Sequence, residues 1–287
     1  MSLEVTTDED GFRLPLLRTK DGRFAGNTFV QDTIDNMPSV KLRDNDVLFC
    51  SYAKSGCHWI WQNVRMLHQG EVTDDAVDKE GSMMEYHDID YLDNLPSPRF
   101  LNTHVFFDKL PSDLLKGNVK MVFVYRNPKD IAVSFYHHHS RLKSYGYEGK
   151  FSNYIKRFAS GLVSNNSIFD YWTSFDQGLR KNPQIPHIVM SYEELKKNPV
   201  SERHRLAAFL GRNYDEEFIL QVAEATSIDR MRQQKGGPKD SNGSIFYRKG
   251  EVGDWKNHFT VAESNWFDDM VASRLKDCKM FKFVYSL

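Results

Sequence analysis

The chain has 287 residues, 40% hydrophobic and 13% aromatic, enough for a sizeable core in one large domain or two ordinary ones. Its 38 Lys and Arg against 39 Asp and Glu leave a formal charge of -1, which excludes nucleic-acid or membrane binding driven by overall charge. Any anion site must therefore be a local cluster. The acidic start MSLEVTTDEDGFRLP lacks the apolar core of a secretory signal, and no apolar stretch approaches the ~18 residues of a membrane helix. Cys50, Cys57 and Cys278 make no disulfide framework, so a soluble, cytoplasmic protein is expected.

In chain order, residues 1–40 carry no pattern that assigns them. Asp46–Tyr52 is a short apolar run suited to a buried parallel strand, and it ends in a turn, AKSG. Ile60, Val64 and Leu67 then repeat at helical spacing until Gly70. The pattern returns at Val119–Tyr125, where Asn127 can cap a helix with Pro128 at its first position and Asp130 in its first turn. A third cycle runs from the strand His187–Ser191 through YEELKKNP to the helix SERHRLAAFL, stopped by Gly211. Between Asp240 and Phe259 the chain is rich in Gly and Ser, and a mobile loop is expected over 235–259. Thr260 and Glu263 form a capping box opening an amphipathic helix with Trp266, Met270 and Leu275 among its apolar positions. Repeated strand–turn–helix units predict a single α/β domain, a mostly parallel central sheet flanked by helices, with ligands beyond the carboxyl ends of the strands.

Four constellations stand at such ends or in the loop. Lys54-Ser55-Gly56 joins a cation, a close-approach glycine and the free amides of Gly56, Cys57 and His58 at a helix start, which together suit a phosphate. The same tripeptide also reads as an ordinary turn with a solvated lysine, and it is no Walker A loop. Arg126 and Ser134 can converge on one anion, or Arg126 can pair with Asp130. Phe246-Tyr-Arg-Lys-Gly250 brings Arg248 and Lys249 together before a glycine, for a second phosphate or as a solvated turn. His104, in FLNTHVFF, can take a proton from a hydroxyl, or be structural. Phe100, Phe106 and Phe107 around it are core or the wall of an apolar acceptor pocket. His137-His138-His139 cannot chelate one ion, since neighbouring helix positions point ~100° apart, and no metal is expected.

The order of these pieces, YAKSGCHW, NTH, YRNPKDIAVSFYH, YEELKKNP and FYRKGEVGDWKNHFT, resembles the cytosolic sulfotransferase family over most of the chain. The resemblance implies a P-loop-like sulfonucleotide-binding topology and transfer of a sulfuryl group from 3′-phosphoadenosine 5′-phosphosulfate to a hydroxyl or amine of a small molecule. It places Lys54, Ser55, Gly56, Cys57, His58 and Trp59 around the phosphosulfate and adenine, and Arg126, Ser134, Arg248, Lys249 and Gly250 around the 3′-phosphate. It places Tyr192, Thr226, Met231 and Phe246 against adenosine. His104 matches the catalytic base, assisted by Lys54 and Ser134, and Phe106, Phe107 and His138 fall toward the acceptor.

Departures from the family pattern bear on rate and substrate. Ala53 replaces a proline, Cys57 and His58 replace two threonines, and Asn102 replaces a lysine, removing a cation near the transferring group and predicting slower chemistry or an unusual acceptor. Ile228 stands where an aromatic packs on adenine, and His138, at a usually aromatic position, predicts a polar acceptor. A homodimer through Lys256–Val261 is implied, against which Asn265 replaces the motif's final glutamate. Two other functions stay open from the residues: a sulfonucleotide-binding protein with weak or lost transfer, and a nucleotide kinase.

Overall fold

In a computed structural model, which describes residues 2–73, 79–235, 239–240, 243–244 and 246–287, the strand–turn–helix units assemble around one parallel sheet. The chain opens instead with an antiparallel ribbon, β1 (Ser2–Thr7), β2 (Arg13–Arg18) and β3 (Phe24–Ala25), in that spatial order. Leu14 and Leu16 of β2 alternate into the core. Between them Pro15, which reads against a strand, is tolerated because β3 pairs only with Leu17 and Arg18.

After α1 (Gln31–Asn36) come β4 (Val47–Ser51), α2 (Cys57–Gln69), α3 (Ile89–Asn94), β5 (Phe100–Thr103), β6 (Lys120–Tyr125) and α4 (Pro128–Arg141). There follow α5 (Phe151–Ser160), α6 (Ile168–Lys181), β7 (His187–Ser191), α7 (Tyr192–Lys197) and α8 (Pro199–Leu210). The chain closes with α9 (Glu216–Ala225), α10 (Ile228–Lys235) and α11 (Val261–Arg274). The sheet order is β5-β4-β6-β7, parallel throughout. The chain leaves β4 to build β5 on one side and then crosses to build β6 on the other. This makes the carboxyl end of β4 a topological switch point, where such sheets open a ligand crevice.

Both sheet faces are covered, as a parallel sheet requires. Leu48, Cys50, Met121 and Phe123 pack into one apolar layer with α4, α5 and α6, while Val47, Phe49, Val122 and Val124 pack into the other with α2, α8 and α9. The strands expected at 46–52, 119–125 and 187–191 are present within a residue at each end. Asn127 caps α4 by accepting from the Asp130 amide, and Gly70 ends α2 in a left-handed turn at φ 78. The Thr260–Glu263 capping box opens α11. There Phe267 is fully buried and Trp266 is 37% exposed, contrary to the expected apolar stripe, because adjacent helical positions cannot both face the core. Among the described helices none is long and apolar enough to cross a membrane.

Candidate active site

The turn after β4 winds through left-handed conformations at Lys54 (φ 69) and Gly56 (φ 86). A side chain at Gly56 would place its Cβ 2.4 Å from the Tyr192 ring, so only glycine fits there. No side chain caps α2, so its first amides and positive dipole end face the crevice. The Lys54 ammonium lies 3.4 Å from His138 Nδ1 and 5.5 Å from the centre of the Phe246 ring. Burial, opposed by Cys57 but joined by the charges of Lys79, Arg248 and Arg126, lowers its pKa to about 8. His58 stacks on Phe246 and sets Nε2 2.7 Å from Glu80 Oε1.

His104 follows β5 directly. Its Nδ1 lies 2.7 Å from the Ser51 carbonyl oxygen, which can only accept, so the proton sits on Nδ1 and the Nε2 lone pair is free. Burial, and after it the Lys79 charge, depress the ring to about 3, so it is neutral at physiological pH. Glu85 fixes this strand end, accepting from Thr103 Oγ1 at 2.9 Å and from the His104 amide. Its pKa is raised, chiefly by burial.

Arg126 follows β6. Its guanidinium lies over Tyr192 at 4.3 Å, pairs with Asp130 at 3.4 Å and donates to the Glu251 carbonyl at 2.8 Å. Its buried Nε has no partner, among the described residues. Asp130 also accepts from the Gly253 and Trp255 amides at 2.8 and 3.0 Å, which docks the basic segment on the start of α4. Within that segment Asp254 holds Arg248 at 2.6 Å and Lys249 at 2.5 Å. Burial works to raise the Asp254 pKa, but hydrogen bonds from Lys249, Asn257 and Arg248 prevail and hold the carboxyl well below the usual range.

All these strand ends open on one cavity of about 390 Å³. Lys54, Gly56, Cys57, His58, Trp59 and His104 line it from β4 and β5. Arg126, Ser134, His138 and Tyr192 line it from β6, α4 and β7, and Met231, Phe246, Arg248, Lys249 and Gly250 from the far wall. Five residues that the sequence offered are not in the lining. Ser55 is fully buried. Thr226, expected against adenosine, donates to the Val222 carbonyl at 2.7 Å and accepts from Arg203 at 3.2 Å, within the core. Phe106 lies beneath the Arg23 guanidinium and packs on Tyr171, and Phe107 packs on Phe175 and Gly178, so the acceptor wall expected of them is core. Phe100 packs on His68 instead.

The three consecutive histidines diverge. His137 meets His258 at 3.1 Å, His138 faces Lys54, and His139 bridges Tyr154 and Ser164 at 2.7 and 2.8 Å. Phe135, Leu142 and Tyr145 neighbour His138, and Phe29, Ser144, Ser164 and Asn165 also line the cavity, so the lining mixes apolar and polar side chains. Sequence reasoning missed Lys79, Glu80, Thr28 and Tyr86, which also line the cavity. Thr28 lies in the unassigned N-terminal stretch, and Lys79 and Glu80 follow an acidic run whose spacing marks no site. The segment 235–259, expected to be mobile, lies in part outside the described residues, at 236–238, 241–242 and 245.

A family model described as the sulfotransferase domain matches residues 44–279. Rat sulfotransferase 1C2 is 32% identical over 279 residues, covering 90% of this chain and 93% of its own, and mouse sulfotransferase 6B1 is 31% identical over 251, covering 86% and 80%. The crystal structure of mouse sulfotransferase SULT7A1 complexed with PAP superposes with a TM-score of 0.78 at 26% identity, covering 90% of this chain and 94% of that one. Retinol dehydratase in complex with androsterone and inactive cofactor PAP shares the fold at a TM-score of 0.78 and 20% identity, covering 98% and 92%. The chain belongs to the sulfotransferase domain family and is an enzyme of that class.

Proposed function

We propose that the protein moves a sulfuryl group from 3′-phosphoadenosine 5′-phosphosulfate to a hydroxyl of a polar small molecule, with His104 as base. What carries this reading is that the ends of β4, β5, β6 and β7 deliver Lys54, His104, Arg126 and Tyr192 into one cavity. The residues fit a donor charged at both ends. An uncapped helix start behind a glycine that admits no side chain suits the phosphosulfate, and the unpartnered Arg126 Nε with the Arg248–Lys249 pair suits the 3′-phosphate. Bound there, the donor supplies the activated sulfur. His104 Nε2 takes the acceptor's proton, and Lys54 with the first amides of α2 holds the charge that develops on the leaving phosphate. Tyr192, Trp59, Met231 and Phe246 enclose the adenosine, and Ser134 adds a hydroxyl beside Arg126.

The polar wall at His138, Ser144, Ser164 and Asn165 supports an acceptor with more than one hydroxyl. A cytoplasmic location and a dimer through Lys256–Val261 complete the reading. The test is transfer of labelled sulfate to matched panels of simple phenols and polyhydroxylated acceptors, with calorimetric binding of adenosine 3′,5′-bisphosphate alongside. His104→Ala should cost roughly 10²–10⁴-fold in transfer and leave nucleotide affinity unchanged. Tight nucleotide binding without transfer would make the protein a binder only, and a stronger response to ATP would favour a kinase.

A further inference from the structure

The reacting end of the cavity holds a second lysine that neither the motif nor the strand ends account for. Lys79 begins the 3-10 turn Lys79–Ser82, beside β5, and is 3% exposed. Its ammonium donates to Asn102 Oδ1 at 3.2 Å and to Met83 Sδ at 3.4 Å, both neutral acceptors. Among the described residues no carboxylate lies within ion-pair reach of it. Asn102 grips the same turn from its other end, donating to the Lys79 carbonyl at 2.8 Å and to Ser82 Oγ at 3.0 Å, so the lysine is held in place rather than trailing into solvent. Burial lowers its pKa, opposed by Cys57 and Glu85, and its hydrogen bonds all go to neutral acceptors, a costly arrangement that an anionic ligand would relieve.

We infer that Lys79 is the cation that meets the oxygens of the transferring sulfuryl group, taking the place left by the neutral Asn102. This deepens the proposed transfer reaction and rests on it. Lys79 lines the cavity together with His104, His58 and Lys54, so its charge stands on the side where the acceptor proton leaves. In the step, an acceptor oxygen–sulfur bond forms as its proton passes to His104 Nε2, and the sulfur–oxygen bond to the 5′-phosphate breaks with its electron pair staying on the phosphate. Lys79 stays with the sulfuryl oxygens throughout, while Lys54 holds the departing phosphate. The charge is thus delivered from the turn at 79–82 across to strand β5, without altering the strand.

The experiment compares the wild type with Lys79→Met, Lys79→Arg and the double variant Lys79→Met, Asn102→Lys. It reads kcat/KM for transfer, and calorimetric affinities for 3′-phosphoadenosine 5′-phosphosulfate and for adenosine 3′,5′-bisphosphate, which lacks the sulfuryl group. Lys79→Met should lower kcat/KM about 10²-fold and lower the preference for the sulfated nucleotide, leaving bisphosphate affinity unchanged. Lys79→Arg should retain part of the activity, and Asn102→Lys in the double variant should restore at least a tenth of it by supplying an ammonium from the neighbouring position. Unchanged kcat/KM and unchanged preference in Lys79→Met would overturn the inference, as would an equal loss of affinity for both nucleotides, which marks a structural lysine. If the wild type transfers nothing, the transfer reading itself fails, and the two binding affinities still decide the role of Lys79.

Discussion

In the proposed reaction the Lys54 ammonium should set an alkaline limit on turnover, and the structure puts that limit unusually low. Its pKa falls from 10.5 to about 8, first through burial and then through the nearby charges of Lys79, Arg248 and Arg126. The shift corresponds to roughly 3 kcal/mol withheld from the charged form, lessened by water in the cavity onto which this part-buried side chain opens. The useful form is protonated, so the contribution is present below about 8 and lost above it. About nine-tenths of the free enzyme carries the charge at pH 7 and about one-tenth at pH 9, so kcat/KM should fall roughly tenfold between them. A bound nucleotide, anionic at both ends, brings negative charge against Lys54, so the matching limb in kcat should lie at higher pH. The assay is initial-rate transfer to an aliphatic alcohol, whose hydroxyl does not ionise in this range, with Lys54→Arg as the control that stays charged. A wild-type profile flat to pH 9 would refute the reasoning, and so would an unchanged limb in Lys54→Arg.

Acid should loosen the fold through His104. Its folded pKa near 3 lies below the ordinary 6.5, so the unfolded chain gains the proton first, and stability is lost as pH falls from 6.5 toward 3. At pH 5 this amounts to about 2 kcal/mol. Urea unfolding at pH 7 and pH 5 should therefore show an acid penalty smaller by that amount in His104→Gln, and equal penalties would remove the claim. Arg248, held at 2.6 Å by Asp254, is read as a 3′-phosphate ligand. Arg248→Gln should weaken adenosine 3′,5′-bisphosphate by about 30-fold while leaving adenosine 5′-phosphosulfate unchanged. Calorimetry with both nucleotides decides it, and a parallel loss would point to a collapsed loop.

What the sequence made legible was whatever is encoded locally. The three buried strands are continuous apolar runs, and their following turns carry the residues that face the crevice, so strand, turn and candidate ligand lie within a dozen residues of one another. The N-terminal ribbon was hidden because β1 is an edge strand with Leu3 58% and Val5 39% exposed, and because Pro15 interrupts β2. Thr226 and Phe107 stand outside the cavity lining for a different reason. Each is polar or aromatic at a plausible spacing, but its neighbours are set by tertiary packing: Arg203 and Asn63 enclose Thr226, and Gly178 admits the Phe107 ring. Lys79 was invisible because its meaning depends on Asn102, a residue 23 positions away.

The two ends of the cavity handle their cations differently, and the difference has a chemical sense. At the arginine end the protein supplies its own counter-ions: Asp130 for Arg126, and Asp254 for Arg248 and Lys249. Those groups are aligned before a ligand arrives, which suits a phosphate that is gripped equally before and after the reaction. At the proposed sulfuryl end Lys54 and Lys79 meet His138, Asn102 and Met83, all uncharged in this environment. Among the described residues neither ammonium has a carboxylate in contact, although Glu85 acts on Lys79 from beyond contact, so both charges act most strongly where negative charge grows during reaction. Interactions of this kind lower the barrier, whereas interactions equal in ground and transition state do not. A carboxylate at position 102 or 138 would satisfy the lysines in the empty protein and oppose the ligand in the filled one. Leaving those positions neutral trades some stability for a field aimed at the reacting atoms.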